Sequence, residues 1–132
     1  DLLLGLFEIM ETEKLDYTNT FRELSKIISS PGNFKLSKKL SMWIASYKDR
    51  LSKDENSIEE SKILMDENNP KYILRNYLAQ SAIEYAEQGK AEKIDELAKV
   101  LSNPYVDLGS SMEKFCQPAP KEQQNQQLSC SS

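Results

Sequence analysis

FKLSKKLSMWIASYKDRL, residues 34–51, has the clearest apolar periodicity in the 132-residue chain. Its apolar side chains recur at steps of three or four residues, which is the spacing of one face of an α-helix. They are Leu36, Leu40, Trp43, Ile44, Tyr47 and Leu51. The pattern predicts an amphipathic helix, and we interpret Trp43 and Tyr47 as core packing rather than as a stacking platform for a ligand.

Two helices are predicted before this stretch. Apolar residues between Leu3 and Met10 follow the same helical spacing. Asp16 has the side chain of an N-cap and precedes a second apolar stripe. That second helix should end at Pro31 and Gly32, because proline followed by glycine does not continue a helix.

Two further helices are predicted after residue 51, one beginning at Ser57 and one containing Ile94 and Leu101. Ser57 and Glu60 match a capping box, which would open a short helix running to about Glu67. A later stripe that includes Ile94 and Leu101 predicts a helix ending before the next Asn-Pro pair. The chain shows no strand-like alternation and no glycine-rich phosphate loop, so the predicted fold class is all-α.

The remaining helix is predicted over residues 70–88. Asn69 suits an N-cap, and proline is favoured at the first helical position. Gly89 suits a left-handed C-cap. On such a helix Leu74 and Tyr85 belong to an apolar arc of about half a turn. This arc is wide enough to contact more neighbours than the chain itself supplies.

Arg75 falls inside that apolar arc. The residues three and four positions away from it are Lys71, Tyr72, Leu78 and Ala79. None is a carboxylate, so Arg75 must reach water, another element, a backbone carbonyl or a ligand anion. We interpret it as a structural bridge to a neighbouring element, with a bound phosphate as the alternative.

The helical pattern divides the chain into two regions. Residues 1–104 are predicted to form a region of about six helices. Beyond Tyr105 the periodicity disappears, and residues 117–127 are polar and rich in proline and glutamine. Such a segment has too little apolar surface to fold alone. We therefore expect residues 105–132 to form an irregular, extended polar tail.

The composition argues against several classes of function. The chain has no histidine, the commonest general base and a frequent ligand of zinc and non-haem iron. Its formal net charge of −4 argues against a nucleic-acid partner. No apolar run approaches the roughly 18 residues of a membrane span, so no membrane partner is expected. We expect no catalytic, cofactor-binding or metal-binding residue within the chain.

The first residues are also informative. Asp1 is followed by three leucines, with neither an initiator methionine nor a basic segment. This is neither a signal peptide nor a natural start, and no other targeting signal is present. We therefore expect the chain to be a piece of a longer protein.

Two cysteines, Cys116 and Cys130, lie near the C-terminus. Their spacing would allow a small disulfide loop and carries no metal-binding signature. The terminal carboxylate near Cys130 would raise rather than lower the pKa of its thiol. Cys130 is therefore either an exposed, inert thiol or a thiol on a mobile tether that meets a cysteine elsewhere.

The string NPKYILRNYLAQ at residues 69–80 closely resembles the C-terminal region of the selenoprotein O (SelO) family, the protein-AMPylating pseudokinases. DYTNTFRELS at residues 16–25 and WIASYKDRL at residues 43–51 are similar to two further segments of that family. LSNPY at residues 101–105 and the terminal SCSS also match it. The resemblance covers nearly the whole chain in order. The tail departs from the family pattern, since residues 121–127 are glutamine-rich and lack the usual tryptophan.

The resemblance implies that the full-length protein is an enzyme, a protein adenylyltransferase. It would bind ATP with Mg or Mn in a kinase-like domain upstream of this chain and transfer AMP to Ser, Thr or Tyr hydroxyls of protein substrates. UMP transfer from UTP is a close variant. The nucleotide and metal residues of the family precede this region, so the present chain alone would be inactive. The implied location is mitochondrial in a eukaryote and cytoplasmic in a bacterium.

The resemblance also bears on the two cysteines. Cys130 matches the family position that holds selenocysteine in the selenoprotein members. That position implies redox control through pairing with a cysteine of the kinase-like domain, whereas Cys116 matches no family cysteine. The alternative hypothesis for the whole chain is an independent helical module that docks a partner protein without catalysis.

Overall fold

The computed structural model describes residues 1–120, in which the regular secondary structure is entirely helical. Six α-helices and two 3₁₀-helices are present there, with no strand among the described residues. The all-α prediction is thus confirmed. The chain divides into two compact units, Asp1–Asn69 and the residues from Pro70 onward. None of the helices within residues 1–120 has the length and apolar character needed to cross a membrane.

Unit 1 is built from four α-helices. They are α1 (Leu2–Glu13), α2 (Tyr17–Ser29), α3 (Lys38–Leu51) and α4 (Ile58–Asn68). Helix α1 packs against α3 and α2 packs against α4. Their inward faces bury one apolar core, formed by Leu6, Met10, Leu24, Ile27, Leu40 and Ile44. The apolar stripes predicted from the sequence therefore supply this core.

The predicted caps of α2 and α4 are confirmed. The carboxylate of Asp16 accepts a hydrogen bond from the N–H of Asn19 at 2.9 Å. The hydroxyl of Ser57 accepts one from the N–H of Glu60 at 3.1 Å. Helix α3 begins four residues later than the periodicity suggests, because Ser37 caps it. A 3₁₀-helix, Pro31–Asn33, follows α2, as expected for the proline–glycine pair.

Unit 2 contains two α-helices and a second 3₁₀-helix. These are α5 (Asn76–Glu87), α6 (Glu92–Leu101) and the 3₁₀-helix Ser110–Cys116. Their core consists of Tyr72, Ala82, Leu97, Val100, Phe115 and Cys116. Gly89 follows α5 with φ +83°, which confirms the predicted left-handed C-cap.

The predicted start of the helix over residues 70–88 is wrong, since α5 begins at Asn76. The N–H groups of Lys71 and Tyr72 instead donate to the carbonyl of Pro104 at 2.8 and 3.3 Å. These bonds hold the segment before α5 outside a helix. Asn69 is the C-cap of α4 rather than an N-cap. The predicted apolar arc consequently breaks up, and Leu74 is 56% exposed.

The residues after α6 are more ordered than the sequence suggested. We expected irregular structure from residue 105, but Ser110–Cys116 forms a 3₁₀-helix, and Phe115 and Cys116 are buried. Leu108 and Met112 pack against the same core. These apolar residues follow at steps of four, three and one, too short a pattern to stand out in a polar segment.

Candidate functional site

A group of polar side chains surrounds Lys71 in unit 2, in which Lys71 and Arg75 are buried and the carboxylates of Asp107 and Glu113 are partly exposed. We call this group the Lys71 cluster, and its members are Lys71, Arg75, Asp107, Glu113 and Cys116. The ammonium of Lys71 donates to the carboxylate of Asp107 at 2.9 Å and also to that of Glu113. The Lys71 side chain is only 7% exposed. Its charge is therefore balanced by these two carboxylates rather than by water.

Backbone contacts hold the cluster in place. The bonds from Lys71 and Tyr72 to the carbonyl of Pro104 fix the segment before α5. The hydroxyl of Tyr72, a residue that is 1% exposed, accepts a hydrogen bond from the N–H of Leu108 at 3.0 Å. The segment before α5 and the residues after α6 are thus joined by both backbone and side-chain bonds.

The ion pairs of the cluster keep its charged groups ionised. Burial alone would lower the pKa of Lys71, but hydrogen bonds to Glu113 and Asp107 raise that pKa to about 12. The same hydrogen bond from Lys71 holds the pKa of Glu113 below its usual value, against an opposing effect of burial. At neutral pH this lysine stays protonated, so it is not available as a base or nucleophile.

The thiol of Cys116 is also inactive at neutral pH. Burial raises its pKa to about 11, and the hydrogen bond to Glu113 and the charge of that carboxylate add to the effect. The thiol donates to the backbone carbonyl of Glu113 at 3.2 Å and to its carboxylate at 3.3 Å. The positive charges of Lys71 and Arg75 oppose the rise by less. Because the thiolate is the reactive form, we expect Cys116 to react slowly.

Of the two residues singled out from the sequence, the structure describes Arg75 but not Cys130. Arg75 occupies the N-cap position of α5 and is 1% exposed. Its guanidinium therefore does not reach water. Of the partners proposed from the sequence, a group within the protein and a ligand anion remain. The bridging role stays a prediction. Cys130 lies outside the described residues.

Unit 1 contains a second buried polar group, which we call the Arg22 network. Arg22 Nη1 donates to the backbone carbonyls of Asp66 at 2.8 Å and Asn69 at 2.9 Å. The hydroxyl of Ser25 and the ammonium of Lys62 both donate to the Asp66 carboxylate. Burial would raise the pKa of Asp66, but these bonds and the charge of Arg22 lower it overall. The network ties α2 to the end of α4.

Sequence reasoning identified Arg75 but missed Arg22 and Lys71. Arg22 lies outside the apolar stripe of α2, because the residues three and four positions away from it are the polar Thr18, Asn19, Ser25 and Lys26. Lys71 gave no signal either, since its partner Glu113 is 42 residues away in the chain.

The side chains of the Lys71 cluster and the Arg22 network are suited to holding the fold together rather than to proton transfer. The pKa shifts of Tyr47, Asp66, Lys71, Glu96, Glu113 and Cys116 all move away from neutrality. General acid–base catalysis works best with a pKa near the working pH. In that same part of the chain, no group of three or more His, Cys, Asp or Glu side chains could hold a metal ion.

Comparison with known proteins shows where the chain belongs. A sequence profile of the family described as "Protein adenylyltransferase SelO" matches residues 1–102. The chain belongs to the SelO family. It is 36% identical over 138 residues to the "Protein nucleotidyltransferase YdiU" of Pectobacterium atrosepticum. It is 37% identical over 150 residues to the protein of the same name in Photobacterium profundum.

The SelO family resemblance drawn from residues 69–80 is therefore confirmed. The match to the Pectobacterium protein covers 100% of this chain but 28% of that relative. For the Photobacterium protein the shares are 99% and 29%. The chain thus spans less than a third of the curated relatives it matches and corresponds to a C-terminal part of them.

Proposed function

We propose that this chain is the helical C-terminal part of a SelO-family protein nucleotidyltransferase whose catalytic groups lie upstream of residue 1. The family match over residues 1–102 carries the proposal. The relatives named as protein nucleotidyltransferases are more than three times as long as the aligned part, since it makes up 28% of one of them. The raised pKa values of Lys71 and Cys116 support it as well, because they keep these two buried groups protonated and unreactive at neutral pH.

The reaction we propose for the full-length protein is AMP transfer from ATP to Ser, Thr or Tyr hydroxyls of protein substrates. The substrate oxygen attacks the α-phosphorus, the bond to the leaving pyrophosphate breaks, and the hydroxyl proton passes to a base. The nucleotide and its Mg or Mn ion would be held in the upstream kinase-like domain. No cluster within the described residues fits such a metal.

The role we propose for this chain is to support that upstream domain. The start of α1 presents an apolar surface in which Leu3 is 48% and Leu4 60% exposed. Tyr17, which stacks on Phe7, is 62% exposed. Leaving so much apolar area in water is unfavourable, and a domain connected just before α1 is well placed to cover it.

The proposed reaction is tested with the full-length protein. Purified protein is incubated with a protein mixture, Mg or Mn, and either ATP or UTP, and adducts are identified by mass spectrometry. We expect adenylyl groups on Ser, Thr or Tyr side chains. Predominant uridylyl adducts in a competition between the two nucleotides would favour the UMP variant. If neither nucleotide gave an adduct, the chain would be better explained as a docking module without catalysis.

Redox control through Cys130 is the second part of the proposal. It rests on the family position that Cys130 matches, since this residue lies outside the described part of the chain. We expect Cys130→Ser to abolish the difference between oxidised and reduced full-length protein in the transfer assay. Cys116→Ala is the matched control, because the buried Cys116 should leave that difference intact. Equal activity of the unaltered protein under both conditions would refute redox control.

A further inference from the structure

A groove in unit 1 combines an apolar floor with basic walls. It lies between the 3₁₀-helix Pro31–Asn33, the residues that follow it, and one face of α3, and its volume is about 590 Å³. Leu36 and Ile44 form part of its apolar lining, and Lys35 and Lys48 are its basic residues. We call it the basic groove.

The spacing of residues on α3 gives this groove a length and a direction. Ser41, Ala45 and Lys48 line it at steps of four and three residues, so they lie on one face of α3. Lys38, three residues before Ser41, extends the same face. The small side chains of Ser41 and Ala45 leave room between two lysines that are about 15 Å apart along the helix axis.

The lysines that line or flank this groove have no ion-pair partner among residues 1–120, whereas Arg50 and Lys53 near the end of α3 pair with Asp54 and Asp49. Residues 34–53 hold six basic residues and one acidic residue, in a chain whose net charge is −4. Within residues 1–120, neither Lys35, Lys38 nor Lys48 takes part in an ion pair, whereas Lys62 and Lys71 do. The carboxylate of Glu13 accepts a hydrogen bond from the hydroxyl of Ser37, the residue that caps α3.

The position of Lys38 in α3 is electrostatically unfavourable. It is the first residue of α3, where the helix dipole disfavours a positive side chain. The positive end of that dipole adds to the potential of the neighbouring lysines. An anionic group bound at this end of the groove would relieve both effects.

We propose that the basic groove docks an acidic segment of a partner protein, with an apolar side chain of that segment seated against Leu36 and Ile44. Two carboxylates about 15 Å apart would pair with Lys38 and Lys48, a distance that four or five residues of extended chain span. A nucleic acid fits less well, because its phosphate backbone offers no apolar side chain to contact Leu36 and Ile44 in the groove. The proposal does not depend on nucleotidyl transfer, since it concerns binding alone.

The test measures binding of a fluorescein-labelled peptide, EELFEE, to the full-length protein by fluorescence anisotropy. We expect saturable binding that weakens as salt is added. The double charge reversal Lys38→Glu with Lys48→Glu should raise the Kd at least tenfold. The matched control reverses two lysines of unit 2, Lys90→Glu with Lys99→Glu, and should change the Kd less than twofold. Equal weakening by both pairs would overturn the proposal.

Two further measurements separate the groove from simple charge attraction. Gly32 lines the groove, and a Cβ added there meets nothing within 4 Å, so Gly32→Trp should fold and obstruct the groove without altering charge. We expect it to raise the Kd at least fivefold, with an unchanged circular dichroism spectrum. The peptide EEGSEE should bind more weakly than EELFEE. Equal affinity for the two peptides, or tighter binding of a thymidine hexanucleotide, would contradict docking of an acidic peptide segment.

Discussion

Arg22 offers the sharpest test of how unit 1 is stabilised. Its side chain is 10% exposed, and its Nη1 donates to two backbone carbonyls at the end of α4, those of Asp66 and Asn69. The last carbonyls of a helix lack partners within the helix, so Arg22 supplies what α4 itself does not. Arg22→Met keeps much of the apolar stem of the side chain and removes both donors.

The expected cost follows from these two bonds. A hydrogen bond to a charged donor contributes about 1.5–3 kcal/mol, and a buried carbonyl left without a donor costs a similar amount. Water reaches part of this site, since the Asp66 side chain is 23% exposed. We therefore expect Arg22→Met to lower the free energy of unfolding by about 3 kcal/mol. Arg22→Lys should cost about half as much, because an ammonium lacks the planar fork of the guanidinium.

Urea denaturation followed by the fluorescence of Trp43 measures this change. Trp43 is the single tryptophan of the chain and lies in unit 1, where its indole N–H donates to the carbonyl of Leu2 at 2.7 Å. The control variant is Arg50→Met. Arg50 is 59% exposed and pairs only with Asp54 among the described residues. Arg50→Met should therefore lower the free energy of unfolding by less than about 0.5 kcal/mol.

Two results would refute this reasoning about Arg22. The first is an Arg22→Met variant as stable as Arg50→Met, which would mean that water replaces the arginine at no cost. The second is an Arg22→Lys variant as unstable as Arg22→Met, which would mean that the geometry of the donor does not matter.

Three further predictions concern unit 2 and the turns. Burial raises the pKa of Cys116 from 9.0 to about 11, so the unfolded chain loses this proton first. Stability should therefore fall as the pH rises from 9 towards 11, and Cys116→Ala should flatten that decline in urea titrations. Lys71→Met should lower the free energy of unfolding by about 2 kcal/mol, and Lys90→Met by much less, when both are measured by urea denaturation. Gly89→Ala should cost about 1 kcal/mol in thermal melts because φ is +83°, whereas Gly32→Ala should be nearly neutral.

Each of these predictions has a contradicting result. An unchanged pH profile in Cys116→Ala would show that another group titrates in the alkaline range. Equal effects of Lys71→Met and Lys90→Met would show that the buried ion pairs contribute nothing specific. A neutral Gly89→Ala substitution would show that the turn after α5 adapts without cost.

Local signals were sufficient to predict most of the helices. Asp16 and Ser57 were identified as N-caps because a capping side chain bonds only three residues ahead. The predicted start of α5 was wrong because a distant contact, rather than a local signal, decides it. Asn69 and Pro70 favour a helix locally, but Pro104 attracts the next two N–H groups from more than 30 residues away. Tertiary contacts of this kind override local propensity.

In the candidate site, too, contacts between distant parts of the chain could not be predicted from the sequence. Arg75 was singled out from an apolar helix face that the structure does not form at this position, yet the arginine is buried, at 1% exposure. The partners of Arg22 are backbone carbonyls, and a carbonyl has no sequence signature. The ordered segment after α6 was missed because its apolar residues are few and lie among polar ones. Only the folded chain shows that Phe115 and Cys116 complete the core of unit 2.

Two of the motifs that carry the family resemblance, residues 16–25 and 69–80, are explained by packing. Arg22 lies in the segment 16–25 and donates to Asn69, the first residue of the segment 69–80, so these two motifs meet in unit 1. In unit 2, Lys71 and Tyr72 make the buried polar contacts described above. A buried polar group whose partner is removed costs about 1–3 kcal/mol, so each motif residue restricts what its partner can be. These motifs therefore identify the family through its fold, and they are uninformative about catalysis. This agrees with the proposal that the catalytic groups lie upstream of residue 1.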